Sequence, residues 1–173
     1  MNNLRHIMTS VAVTALFSAQ ALAATDGSVG TTSSGTSQVS LDVADRIQIS
    51  NVEDIALGTY GGTGDLNENM SYCVYRNGGG DYELTLTTDQ GVFEVADGTD
   101  TIPFAVQVDG DNDASDGASI AYNTASTAFT GSNAGDCNGA DNGAMYVNFS
   151  EANLQAAPTS TYQATVTLLV EPI

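Results

Sequence analysis

The sequence predicts an all-β domain of two antiparallel sheets packed face to face, and three observations predict it. From Gln38 onward apolar side chains recur at every second position in short runs, the runs are separated by Gly, Asn and Asp, and helical periodicity is nearly absent. Alternation of period two places one face of each strand on a core and the other in water. The chain has 173 residues, 42% of them hydrophobic, which supports one core and is too short for several domains.

The elements follow in order. Val39, Leu41 and Val43 share one face of a first strand, Ile47 and Ile49 one face of the next, and Ile55 and Leu57 one face of another. Ser71, Cys73 and Tyr75 alternate with Tyr72, Val74 and Arg76. Asn77-Gly78-Gly79-Gly80-Asp81 then supplies residues that tolerate positive φ, as a hairpin turn requires, and Tyr82, Leu84 and Leu86 form the return strand. Residues 91–95 make a short strand. Ile102, Phe104, Val106 and Val108 alternate around Pro103, which places that strand at an edge or makes Pro103 a strand start. Residues 109–143 are polar, with weak strands at 119–122 and 126–129. Met145, Val147 and Phe149 resume the alternation, residues 151–157 read as a short helical turn ended by Pro158, and Tyr162, Ala164, Val166, Leu168 and Val170 line one face of the last strand. Eight to ten such strands describe an immunoglobulin-like sandwich, with a closed barrel as the alternative. There is no internal repeat and no second-domain boundary.

Residues 1–23 carry Arg5 and His6, then an apolar stretch from Val11 to Phe17, then Ala21-Leu22-Ala23 as a small-x-small cleavage site. This is the pattern of a secretory signal peptide. The stretch is too short and too interrupted, by Thr14, Ser18 and Gln20, for a membrane anchor. Residues 24–37 are almost all Gly, Ser, Thr and other small or polar residues, a flexible lead-in, and 38–173 is the sandwich domain.

Charge excludes several functions. The whole chain has a formal net charge of −18, and outside the leader only Arg46 and Arg76 stand against 21 acidic residues, with no Lys and no His. Without histidine or lysine there is no His-based general base, no Ser-His-Asp or Cys-His pair, no lysine chemistry and no zinc site of the usual kinds. A surface this acidic repels nucleic acid and anionic lipid, so neither nucleic-acid binding nor membrane insertion is expected. Nothing singles out a catalytic carboxylate pair from the acids, and no enzymatic activity is expected. Export to an oxidising compartment, with an even cysteine count, predicts a Cys73–Cys137 disulfide.

Two further features bear on binding. Asp109, Asp111, Asp113 and Asp116 have the alternate-residue oxygen spacing of a calcium loop. As an EF-hand the run fails, with Ala114 at the sixth position and Ile120 at the twelfth; the remaining choices are a looser calcium site and a solvated acidic loop without cofactor. Tyr72, Tyr75 and Tyr82 either stack on sugar or, as strand tyrosines more often do, pack in the core.

The order of these features resembles the subunits of chaperone-usher fimbriae, nearest to the spore-coat-U-like, archaic pilins. The resemblance rests on an exported acidic chain, a short alternating segment near the mature N-terminus, Ile55-Ala56-Leu57-Gly58-Thr59-Tyr60, Cys73-Val74-Tyr75, Cys137, and Thr161-Tyr162-Gln163-Ala164-Thr165-Val166-Thr167-Leu168. It implies a sandwich lacking a strand and completed by a neighbour's N-terminal extension, a β-augmentation. Residues 38–44 would then be the donor, with Val39, Leu41 and Val43 inserted, and Tyr162, Ala164, Val166, Leu168 and Val170 would border the groove. The resemblance further implies a periplasmic chaperone, an usher, sibling or identical subunits as partners, and a place on the cell surface. The same alternation at 39–43 also fits the first strand of a complete domain, in which case the chain reads as a self-contained secreted module binding calcium or carbohydrate.

Overall fold

A computed structural model describes residues 24–111 and 117–173. The chain divides into two compact units, one ending at Val43 and the other spanning Ala44–Ile173. The proposed leader, residues 1–23, lies outside the described residues.

In the first unit the described residues are exposed throughout, and Thr25 and Thr36 bridge to each other through two backbone hydrogen bonds of 3.1 and 2.9 Å. Residues 38–44, expected as a strand, form none. Their alternation is that of a strand, but a ladder needs a partner edge, and none of the described residues provides one.

The second unit is all-β. Its strands are β1 (Ile47–Ser50), β2 (Leu66–Arg76), β3 (Asp81–Thr88), β4 (Glu94–Ala96), β5 (Thr101–Pro103), β6 (Ala105–Asp109), β7 (Ala118–Ser119), β8 (Phe129–Thr130), β9 (Gly143–Phe149) and β10 (Val166–Pro172), with one short helix, α1 (Glu151–Ala156). Every pairing between these strands is antiparallel. One sheet has the order β1-β2-β9-β6-β7, a second β10-β3-β8, and β4 pairs with β5. The inward side chains of both larger sheets meet in one core, a sandwich and not a closed barrel. Met70, Tyr72 and Val74 of β2, Val106 and Val108 of β6 and Met145, Val147 and Phe149 of β9 come from one side, and Tyr82, Leu84 and Leu86 of β3 from the other. Phe104 links this core to the β4–β5 ribbon, its ring centroid 5.7 Å from that of Phe93 and 5.1 Å from that of Phe149.

Most elements lie where the alternation placed them. The β2–β3 hairpin turns through Gly78 and Gly79, at φ of 81° and 66°, where an L side chain is disfavoured. The run around Pro103 is two strands, β5 and β6, broken at Phe104. Helix α1 is capped by Ser150, whose side chain accepts from the Asn153 N–H, and Pro158 follows it. The last strand starts later than expected, at Val166. Upstream of it, only Gln163 bridges, to Ala96.

The Cys73–Cys137 disulfide is present, with 5.8 Å between the Cα atoms. It ties the middle of β2 to a 3-10 turn at Cys137–Gly139 across 64 residues of sequence. On the chain-entropy account such a link is worth about 4 kcal/mol. Replacing both cysteines by alanine should therefore lower the unfolding free energy by about 2–5 kcal/mol in denaturant titrations.

Tyr72 and Tyr82 are fully buried core residues, so packing is their structural role, while Tyr75 is half-buried. The hydroxyls of Tyr72 and Tyr82 are buried beside each other. Burial pushes the Tyr82 hydroxyl up to about 12 and raises that of Tyr72 further, with nearby Tyr82 and Asp109 adding to the latter. A tyrosine whose folded pKa lies above its unfolded value near 10 leaves the unfolded chain losing the proton first, so stability falls as pH rises from 10 towards 12. Melting temperatures measured across that window should decline, and Tyr82→Phe should flatten the decline.

Candidate functional site

Asn51 ends β1. It has a φ of 61°, in the left-handed region, and its side-chain Nδ2 donates to Asp141 Oδ1 at 2.8 Å. This turn carries the chain off the ladder. β1 pairs only with Cys73–Arg76 of β2, so residues 66–72 of β2 have no ladder partner on that side among the described residues. Residues 51–60, expected to include a strand through Ile55 and Leu57, run without assigned secondary structure.

β10 is the matching edge of the other sheet. It pairs along its whole length with β3, and its second edge has no strand beside it among the described residues. β1 and β10 lie near one another without pairing.

Between these edges is a groove of about 870 Å³. One wall is residues 52–60 and the other residues 158–166 with Leu168. The floor is core: Met70, Ile102, Met145 and Phe149 line it, with Leu66, Val95 and Leu154 at the sides. Ile55, Leu57, Val166 and Leu168 pack on the core but remain partly exposed to the groove. The buried Tyr60 hydroxyl, in the first wall, has no partner among the described residues. Of the residues expected to border a groove, Tyr162, Ala164, Val166 and Leu168 line it and Val170 does not.

Carboxylates stand on the first wall and beside the second. Glu53 and Asp54 are exposed at the start of the first wall. Asp97 sits in a turn beside the second wall, next to the bridge between Ala96 and Gln163. Hydrogen bonds from the Asp100 N–H, the Ser160 hydroxyl and the Thr99 N–H hold its carboxyl below the ordinary carboxylate range.

The expected donor side chains are highly exposed: Val39 at 92%, Leu41 at 83% and Val43 at 72%. Directly after them the backbone is gripped by the β2–β3 turn. Asn77 Nδ2 donates to Ala44 O at 3.0 Å, the Arg46 N–H donates to Asn77 Oδ1 at 2.8 Å, and the Asn77 N–H donates to Arg46 O at 3.1 Å. Arg76 reinforces the grip. Its Nη2 lies 3.6 Å from Asp45 Oδ1, and Nη1 donates to Asp81 O and, at 2.6 Å, to Ile173 O. No sequence pattern announces this clamp; Asn77 reads only as a turn residue.

Of the proposed calcium ligands, Asp109 is buried, accepts the Asp111 N–H through Oδ1 at 3.0 Å and leaves Oδ2 without a partner among the described residues. Asp113 and Asp116 lie outside the described residues. Among the described residues no group of three or more His, Cys, Asp or Glu is arranged to hold a metal ion, and no helix is long and apolar enough to cross a membrane.

The clamp yields a prediction. Asn77→Ala should remove the two side-chain hydrogen bonds to residues 44 and 46, leave the backbone bond to Arg46 O in place, and cost about 1–2 kcal/mol. Amide hydrogen exchange at Arg46 should speed up while exchange in β3 and β9 stays unchanged. Comparison with family models and with curated proteins finds no match for the chain.

Proposed function

We propose that this chain is a structural subunit of a surface fibre, without catalytic activity, and that the fibre forms when residues 38–44 of one copy enter the groove of the next. A single observation carries the reading: a core-lined groove runs between the unpaired edges of two sheets, and the same chain presents an exposed segment with the alternation to fill it. A β-strand inserted there gains backbone hydrogen bonds from an edge on each side and buries every second side chain on the core.

The dimensions agree. The first wall is nine residues long, and the seven-residue donor extends over about 23 Å as a strand. Val39, Leu41 and Val43 have the spacing to point together at the floor, with Ser40 and Asp42 turned to water.

The resemblance to archaic chaperone-usher pilins supports the same reading and extends it. On that basis the subunit is exported through its leader, oxidised in the periplasm, held there by a chaperone and passed through an usher to the cell surface as a fimbrium.

Leu41→Asp tests the donor role. It would place a carboxylate on the apolar floor, a loss of several kcal/mol, so assembly should be weakened by about a hundredfold or more. The disulfide and the circular dichroism spectrum should remain those of the wild type, because the Leu41 side chain is exposed. Size-exclusion chromatography and electron microscopy read the outcome. Persistent oligomers, or a wild type that is a stable monomer indifferent to loss of residues 24–44, would instead favour a self-contained module.

A further inference from the structure

We propose, resting on the donor reading above, that the Arg46 guanidinium of the donating copy docks on carboxylates at the mouth of the acceptor's groove and steers the insertion. Arg46 and Arg76 are the only cations of the chain beyond the leader. Arg76 is committed within its own domain, to Asp45, Asp81 O and Ile173 O. Arg46 is exposed, and among the described residues its side chain forms no ion pair. An acidic chain has many internal partners for a cation, and among the described residues this one uses none of them.

The position of Arg46 is fixed. It follows the last donor side chain, Val43, by three residues, and its N–H and C=O are both bonded to Asn77. The backbone that carries the guanidinium is therefore anchored to the donating domain at the point where the donor segment begins. When the donor lies in a groove, Arg46 stands at one end of it.

The groove offers the complementary charge. Glu53 and Asp54 open the first wall. Asp97 accepts a hydrogen bond from Ser160 of the second wall and, with Asp100, lies close enough to Tyr162 there to raise its pKa, after the larger effect of desolvation. Two copies freed of the leader, each with two arginines against 21 acidic residues, otherwise repel, and a local opposite pair at the rim acts mainly on the association rate. The attraction is screened by salt, with a Debye length of about 10 Å at 0.1 M.

The test uses the oxidised chain beginning at Ala24, with assembly followed by light scattering. Arg46→Gln should slow the initial rate by about threefold or more at low ionic strength, and the difference from wild type should vanish near about 1 M NaCl. Equal rates at every salt concentration would overturn the proposal, provided the melting temperatures match. A charge exchange identifies the mouth: Arg46→Asp should assemble slowly, and either Asp54→Arg or Asp100→Arg combined with it should restore the rate. Failure of both exchanges overturns the docking contact even where Arg46→Gln is slow. A wild-type chain that never assembles overturns the donor reading itself, a distinct result from a wild type that assembles at a rate indifferent to residue 46.

Discussion

Backbone N–H and C=O groups at a sheet edge must find partners in protein or water, and apolar floor between two edges is covered only when a strand bridges them. In this protein the constraint comes to a point at Asn51. Its left-handed conformation, held by the bond to Asp141, takes the chain off β2 after four residues of β1. The first half of β2 keeps a bare edge, residues 52–60 become a wall instead of a ladder, and the core opens between that wall and β10. The groove and the use proposed for it follow from that departure.

The composition of the groove fits an extended occupant better than a compact ligand. Its floor is Met, Ile and Phe from several strands, and its sides include backbone and alternating half-buried side chains of the two walls. The polar side chains, among them Thr59, Ser160, Thr161 and Gln163, belong to the walls and not to the floor. A strand would meet the requirements in order, hydrogen bonds along its edges and apolar contact on one face.

Much of the fold was legible in the sequence because burial on one face forces alternation. Tyr82, Leu84 and Leu86, and Met145, Val147 and Phe149, are core for that reason, and the glycines between Asn77 and Asp81 mark the hairpin that the structure contains. The disulfide followed from a count of two. What alternation cannot report is the partner. Val39, Leu41 and Val43 look like a strand and form none among the described residues, while Ile55 and Leu57 alternate as strand residues do and pack on the core without a ladder. A side-chain pattern records which face is apolar; whether an edge is paired depends on backbone geometry such as Asn51, which an Asn-Val dipeptide does not announce. The clamp was invisible for a related reason, since Asn77 serves as turn residue and as hydrogen-bond partner of a segment about thirty residues away.

On the proposed reading, the energetics explain why a donor with only three apolar side chains would suffice and why its root would matter. Burying a Val, a Leu and a Val contributes about 5–9 kcal/mol, at about 1.5–3 kcal/mol each. Ordering and immobilising a free segment costs an amount of the same size, so apolar burial by itself leaves a weak complex. Two differences move the balance. Hydrogen bonds along two bare edges add about 0.5–1.5 kcal/mol each, and they satisfy groups that the groove otherwise leaves to water. The second difference is preorganisation: the three bonds from Asn77 fix residues 44–46, so only the residues before them must be ordered on insertion. On the proposed reading, a donor rooted in this way would need fewer apolar anchors than a free peptide of the same sequence, and acidic copies that repel at distance would be held together by contacts made only once the strand is in place.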